Sequence, residues 1–143
     1  MRTIAGCLLL AVLIGGCMNG NKGGASGPSS VMSDSTQFTT VQWLDSVKDF
    51  GKIQEGQKLE VSFRYKNIGD KPLVIQHVQA SCGCTVAEQS TEPVAPGADG
   101  LIKATFNSQG HPGLAQKVLT VTANMKGSVT HALKFVVEVE KKS

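Results

Sequence analysis

The chain has 143 residues and a formal net charge of +3, with 14 Lys and Arg against 11 Asp and Glu, and 41% of its residues are hydrophobic. This length suits one domain with a short extension. The lysines are scattered along the chain, so a basic face for a nucleic-acid partner is not expected.

The first sixteen residues have the pattern of a secretion signal. Arg2 gives a positive start, and an uncharged apolar run of eleven residues follows at 4–14. A membrane-spanning helix needs about 20 apolar residues, so a run of this length is typical of a signal peptide that is later removed. We therefore predict that residues 1–16 take no part in the fold.

The tetrapeptide Ile14-Gly15-Gly16-Cys17 resembles the bacterial lipobox. In a lipobox an aliphatic residue and two small residues precede the cysteine that receives lipid. Cys7 ends a similar tetrapeptide, but no apolar run precedes it, and we assign it to the apolar segment. The alternative is cleavage near Gly16 by the ordinary signal peptidase. Lipid on Cys17 anchors a protein to a membrane without spanning it.

Residues 17–37 are predicted to form the lipidated start and a flexible linker. The stretch 19–36 is rich in Gly, Ser and Asn and too poor in large apolar groups to offset its chain entropy. The residues after Cys17 have no Asp at the second position and no acidic cluster. In a Gram-negative envelope this favours the outer membrane and its periplasmic face.

From residue 38 the pattern becomes that of β-strands. The segment 58–67 alternates with the period of a half-buried strand and places Leu59, Val61, Phe63 and Tyr65 on one side. The other predicted strands lie at 37–44 and 47–50 (one or two strands), 73–80, 85–88, 101–107, 116–124 and 130–140. The segment 73–80 does not alternate strictly, which predicts a bulge or cover on both faces.

About seven short strands without a helix predict an all-β fold, a single immunoglobulin-like β-sandwich over residues 38–143. The antibody-type core, with a tryptophan between two distant cysteines, is not expected here. Trp43 precedes both cysteines of the domain, and Cys82 and Cys84 are only two residues apart.

Several segments carry a family resemblance: FRYKNIGDKPLVI at 63–75, ASCGCT at 80–85, PVAPG at 93–97, IKATF at 102–106 and the turn HPG at 111–113. They resemble the exported domain-of-unknown-function family 1573, often lipoproteins of the Gram-negative envelope, over roughly residues 43–139. The resemblance implies a fold similar to Hydin-type immunoglobulin-like domains, which are mostly scaffolds and adaptors. It implies no reaction.

Cys82-Gly83-Cys84 is the sharpest chemical feature of the sequence. In an extended strand its two Cα atoms would lie about 6.6 Å apart, near the limit for a disulfide, and the conformational freedom of Gly83 would allow a tighter turn. Three interpretations stay open. The pair is a structural disulfide or two buried thiols, a redox pair, or part of a metal site. A redox role needs a nearby base or positive charge, and the local sequence shows none.

A metal site would add His77, five residues before Cys82. Two thiolates and an imidazole suit copper(I) or zinc, but one Cys-x-Cys lacks the second pair of a strong zinc motif. His111 and His131 are expected at solvated positions. We predict no metal and no other cofactor.

The sequence contains no G-x-S-x-G elbow and no phosphate-binding loop, and nothing pairs its acidic residues. We therefore predict a non-enzymatic, membrane-anchored lipoprotein whose immunoglobulin-like domain is an interaction or scaffold module, with an envelope protein or glycan as partner. The alternative is a thiol redox or copper-handling protein built on Cys82 and Cys84.

Overall fold

The computed structural model describes residues 37–88 and 92–142. The predicted signal peptide, Cys17 and the predicted linker up to residue 36 lie outside these residues. In the part of the chain that is described, no helix is long and apolar enough to span a membrane.

The described residues form eight strands. These are β1 (Val41–Trp43), β2 (Val47–Gln54), β3 (Lys58–Asn67), β4 (Ile75–Ala80), β5 (Thr85–Ala87), β6 (Asp99–Asn107), β7 (Gly113–Ala123) and β8 (Thr130–Glu140). Sheet A has the order β1-β3-β6-β5, and sheet B has the order β2-β8-β7-β4. The pair β2–β8 is parallel, whereas the other ladders are antiparallel.

The two sheets bury their apolar faces against each other. Phe63 on β3, Phe106 on β6 and Phe135 on β8 are fully buried, and the rings of Phe106 and Phe135 meet across the sheets with centroids 5.9 Å apart. The alternation predicted for β3 holds, because Val61 and Tyr65 are also buried. This architecture confirms the predicted all-β sandwich.

The bounds of β3 and β8 agree with the prediction, but β6 begins two residues before the predicted strand. Asp99 and Gly100 lie before the predicted strand, which begins at residue 101. In the structure Gly100 pairs with Tyr65, and a Cβ on Gly100 would clash with the Tyr65 ring. This glycine therefore allows a close approach inside the sheet and does not mark a turn.

The predicted strand 73–80 is shorter in the structure and carries the predicted irregularity. Leu73 forms an isolated bridge with Val94, and β4 begins at Ile75. The register of β4 against β7 shifts between Ile75 and His77, as a bulge requires.

The N-terminal segment forms two strands that belong to different sheets. The amides of Leu44 and Asp45 donate to the carbonyl of Arg64 in sheet A, at 3.0 and 3.2 Å, and the amide of Lys134 in sheet B donates to Ser46 at 2.8 Å. The chain therefore passes from one sheet to the other between Asp45 and Ser46. Beyond this crossing, β2 runs to Gln54, further than predicted.

Asp45 fixes this crossing by an ion pair with Arg64. Its Oδ2 and Oδ1 accept from Nε and Nη2 of Arg64 at 2.9 and 3.2 Å, and Lys48 Nζ lies 3.3 Å from Oδ2. The Arg64 side chain and backbone N–H, with a smaller contribution from Lys48, hold the pKa of the Asp45 carboxyl well below its usual range.

Asn67 organises the end of the sandwich after β3. Its Oδ1 accepts from the Thr39 hydroxyl and the Gly69 amide, at 2.8 and 3.2 Å, and its Nδ2 donates to the carbonyls of Lys71 and Val94, at 2.8 and 2.9 Å. The side chain is fully buried, and these four bonds satisfy it. The Asn-x-Gly sequence after β3 thus closes a turn onto two distant segments.

Candidate functional site

A disulfide joins Cys82 and Cys84 in the connection between β4 and β5, with the Cα atoms 5.3 Å apart. This separation is shorter than the about 6.6 Å of an extended strand. The chain therefore turns at Gly83 and brings both sulfur atoms to the same side.

The turn does not use the special conformation of glycine. Gly83 is not among the glycines with positive φ, and a Cβ built on it meets no atom beyond its two neighbouring residues within 4 Å. The expectation that the freedom of Gly83 permits the turn was therefore wrong. The space above Gly83 is open.

Backbone hydrogen bonds hold the turn to both sheets. Thr85 donates its amide to Cys82 at 3.2 Å, and the amide of Ser81 donates to Val118 of sheet B at 2.9 Å. On the other side, the amide of Asn107 at the end of β6 donates to the carbonyl of Cys84 at 2.8 Å. The disulfide is therefore placed where the two sheets are linked.

The environments of the two sulfur atoms differ. Sγ of Cys82 lies 3.7 Å from the hydroxyl of Thr85, whose side chain is buried. Cys84 lines a surface groove of about 480 Å³ together with Gly83. The groove reaches the disulfide from the side of Cys84.

Cationic and titratable side chains from distant parts of the chain line the same groove. Lys58 comes from the start of β3, where it pairs with Asn107, and His111 comes from the loop between β6 and β7. Both side chains are exposed. The sequence missed them as partners of the cysteines, because only the pairing of β3 with β6 brings Lys58 to this end of the sheet.

His77 does not join this groove. It lies on β4, opposite Thr122 of β7, with an exposed side chain. Within residues 37–88 and 92–142 no three His, Cys, Asp or Glu side chains are grouped so as to hold a metal ion.

His131 is not at a solvated position, contrary to the prediction. Its half-buried ring stacks on Trp43, and its Nε2 lies 3.1 Å from the hydroxyl of Ser46. Burial lowers the pKa of His131 from its ordinary value. The sequence pattern had placed residue 131 at the start of a strand but gave no sign of the aromatic ring that covers it.

Two four-stranded sheets with this strand order define an immunoglobulin-like β-sandwich. Within that class, the chain matches the family model described as "Protein of unknown function (DUF1573)" over residues 41–139, and it belongs to that family. No curated protein matches the sequence.

Solved structures share this fold at low sequence identity. A protein of unknown function from Porphyromonas gingivalis W83 has a TM-score of 0.64 at 16% identity, covering 73% of this chain and 49% of that one, so this chain spans about half of its length. The ASH / PapD-like domain 7 of human CEP192 has a TM-score of 0.56 at 12% identity, covering 75% of this chain and 88% of that one. The periplasmic chaperone SfaE has a TM-score of 0.51 at 14% identity, covering 69% of this chain and 56% of that one. At these identities the likeness shows the fold alone.

Proposed function

We propose that this protein is a bacterial lipoprotein, anchored by lipid on Cys17, whose β-sandwich acts as a non-enzymatic interaction module on the periplasmic face of the outer membrane. The observation that carries the proposal is the order of its parts. A tetrapeptide that resembles a lipobox ends at Cys17, a segment rich in Gly, Ser and Asn follows, and the β-sandwich comes after it. A lipid anchor followed by a linker keeps such a domain at the membrane surface.

An exposed apolar side chain on sheet A supports the interaction role. Val86, on the three-residue edge strand β5, is 67% exposed and lines the groove beside Cys84. On the same face, Leu101 of β6 is 41% exposed and lies with Lys103 and Glu88 in a second groove of about 370 Å³. Apolar side chains ringed by charges are typical of a protein-binding surface, so an envelope protein is the proposed partner.

Metabolic labelling with an alkyne analogue of palmitate tests the anchor. The full chain, expressed in a Gram-negative host, should incorporate the label and sediment with membranes, and Cys17→Ser should abolish both. Cys7→Ser is the matched control and should leave labelling unchanged. Label that persists in Cys17→Ser would contradict the assignment of the lipidated residue.

Photo-crosslinking in cells tests the interaction module. A photoreactive amino acid replacing Val86 should give a discrete protein adduct. The control site is Leu114 on sheet B, which is apolar and 76% exposed. Identical adduct patterns from both sites, or adducts with glycan and no protein, would contradict a protein-binding surface on sheet A.

A further inference from the structure

The geometry around Cys82 and Cys84 points to a stoichiometric thiol reaction that does not depend on the proposed anchor. We propose that this disulfide is a thiol–disulfide exchange site, that its substrate is an accessible thiol of a protein or peptide, and that the thiol attacks Sγ of Cys84. The groove lined by Lys58 and His111 reaches Cys84, and apart from the two neighbouring cysteines no atom lies within 4 Å of a Cβ built on Gly83.

The short separation of the two cysteines argues against a purely structural role. A disulfide stabilises a fold mainly by closing a loop in the unfolded chain, and this contribution grows with the length of the loop. Cys82 and Cys84 are separated by two positions, so their disulfide constrains almost nothing beyond Gly83. The turn is already held by the backbone bonds of Ser81, Thr85 and Asn107.

The groove supplies the positive charge that exchange requires. The attacking species is a thiolate, and cationic side chains favour it over the neutral thiol. The Lys58 ammonium lines the groove together with the imidazole of His111. An incoming thiolate therefore meets an attractive field beside Cys84.

The hydroxyl of Thr85 provides for the leaving group. When Sγ of Cys84 is attacked, the sulfur that leaves is Sγ of Cys82. That sulfur lies 3.7 Å from the hydroxyl of Thr85, which can donate a hydrogen bond to the thiolate as it forms. The amide of Thr85, which donates to the carbonyl of Cys82, keeps this hydroxyl in place.

The exchange balances without a further reagent when the substrate carries two thiols. The first substrate thiolate forms a bond to Sγ of Cys84, the Cys82–Cys84 bond breaks, and its electron pair goes to Cys82, which takes up a proton. The second substrate thiolate then attacks the mixed disulfide and releases Cys84 as a thiolate, which is also protonated. The substrate is oxidised to a disulfide, and Cys82 and Cys84 are reduced to thiols.

Trapping with reduced glutathione tests which sulfur is attacked. The full chain carries Cys7→Ser and Cys17→Ser, so that Cys82 and Cys84 are its only cysteines. The folded protein is incubated with glutathione, quenched with excess N-ethylmaleimide, and analysed by tandem mass spectrometry. Glutathione on Cys84 with maleimide on Cys82 is expected. Equal labelling of the two, glutathione mainly on Cys82, or no adduct unless denaturant is added would each overturn the proposal.

Two substitutions test the groove. Lys58→Gln and His111→Gln together should slow formation of the glutathione adduct about three- to tenfold at low ionic strength. Lys134→Gln, an exposed change on β8 of sheet B, is the matched control and should leave the rate unchanged. Circular dichroism verifies that the variants are folded. If the groove variant reacts as fast as the control, the role of Lys58 and His111 is overturned.

Discussion

The indole ring of Trp43 lies parallel to the imidazole ring of His131, with centroids 4.3 Å apart and planes 5° apart. Trp43 belongs to β1 of sheet A, and His131 belongs to β8 of sheet B. On its other side Trp43 contacts Tyr65, with ring centroids 5.4 Å apart. Three rings therefore connect the two sheets at the margin of the core, close to the point where the chain crosses between them.

This stack makes Trp43 a reporter of the protonation of His131. Trp43 is the single tryptophan of the chain, and a protonated imidazole in contact with an indole quenches its fluorescence. Because burial lowers the pKa of His131, the fluorescence should titrate with a midpoint below 6.5. His131→Gln should abolish the transition, whereas His77→Gln, at an exposed position, should keep it. A transition that survives His131→Gln would contradict this assignment.

The lowered pKa of His131 makes the free energy of unfolding depend on pH in a defined direction. The pKa of His131 is lower in the folded state than in the unfolded state, so the unfolded chain binds more protons on acidification. The contribution of His131 to the free energy of unfolding is therefore present above pH 6.5 and is lost as the pH falls through the folded-state pKa. Urea unfolding should show this loss in the parent and not in His131→Gln. An equal loss in the variant would assign the effect to another group.

Gly100→Ala should destabilise the fold. The added methyl group would clash with the ring of Tyr65, which is fully buried and cannot move away without disturbing Trp43. Overpacking of this kind costs about 1–3 kcal/mol, measurable by urea unfolding. Gly83→Ala is the control, because the new Cβ meets no atom beyond the neighbouring residues within 4 Å, and the free energy of unfolding should change little. Equal effects at the two positions would contradict the described contact.

Asn67→Ala should lower the free energy of unfolding more than the loss of an exposed amide side chain does. It leaves the Thr39 hydroxyl, the Gly69 amide and two carbonyl groups without their partner. An unsatisfied buried polar group costs about 1–3 kcal/mol, so a loss of at least about 3 kcal/mol is expected in the free energy of unfolding. Asn107→Ala, which removes one exposed bond to the Gln109 amide, serves as the comparison and should cost less than about 1 kcal/mol.

Asp45→Asn should lower the melting temperature more than Asp99→Asn. Asp45 has a side chain only 14% exposed and a bidentate pair with Arg64, whereas Asp99 is 71% exposed and meets Lys66 at 3.6 Å. Because the pKa of Asp45 is depressed, its contribution is present above the ordinary carboxyl range and is lost as the pH falls. Melting curves at several pH values, at low and high salt, measure both effects. Equal shifts for the two variants would show that the Asp45 pair adds nothing specific.

The strands that the sequence predicted best are those with strict alternation. In β3 and β8 the apolar positions recur with a period of two between clear turn residues, so their bounds could be read directly. Two of the errors in the strand bounds arose where a glycine served another purpose. Gly100 makes room for Tyr65 within β6, and Gly51, with φ of 65°, lies in the irregular part of β2, where the register shifts. A single sequence does not distinguish such glycines from turn glycines.

The candidate site was predictable only in part, because its residues come from separate strands and loops. Cys82 and Cys84 stood out from their spacing. Lys58 and His111 did not, since sheet pairing and a loop bring them to the groove, and no local pattern marks them. The charge that the local sequence lacked is therefore supplied by the tertiary structure.

One measurement tests the central proposal of a lipid-anchored envelope module most directly. The full chain is expressed in a Gram-negative host, extracted from outer membranes with detergent, and its intact mass is determined without reduction. We predict a mature protein that begins at Cys17, carries the acyl groups of a lipoprotein and has the mass expected with the Cys82–Cys84 disulfide closed. A protein that is recovered only from the soluble fraction, or that begins at another residue without lipid, would contradict it.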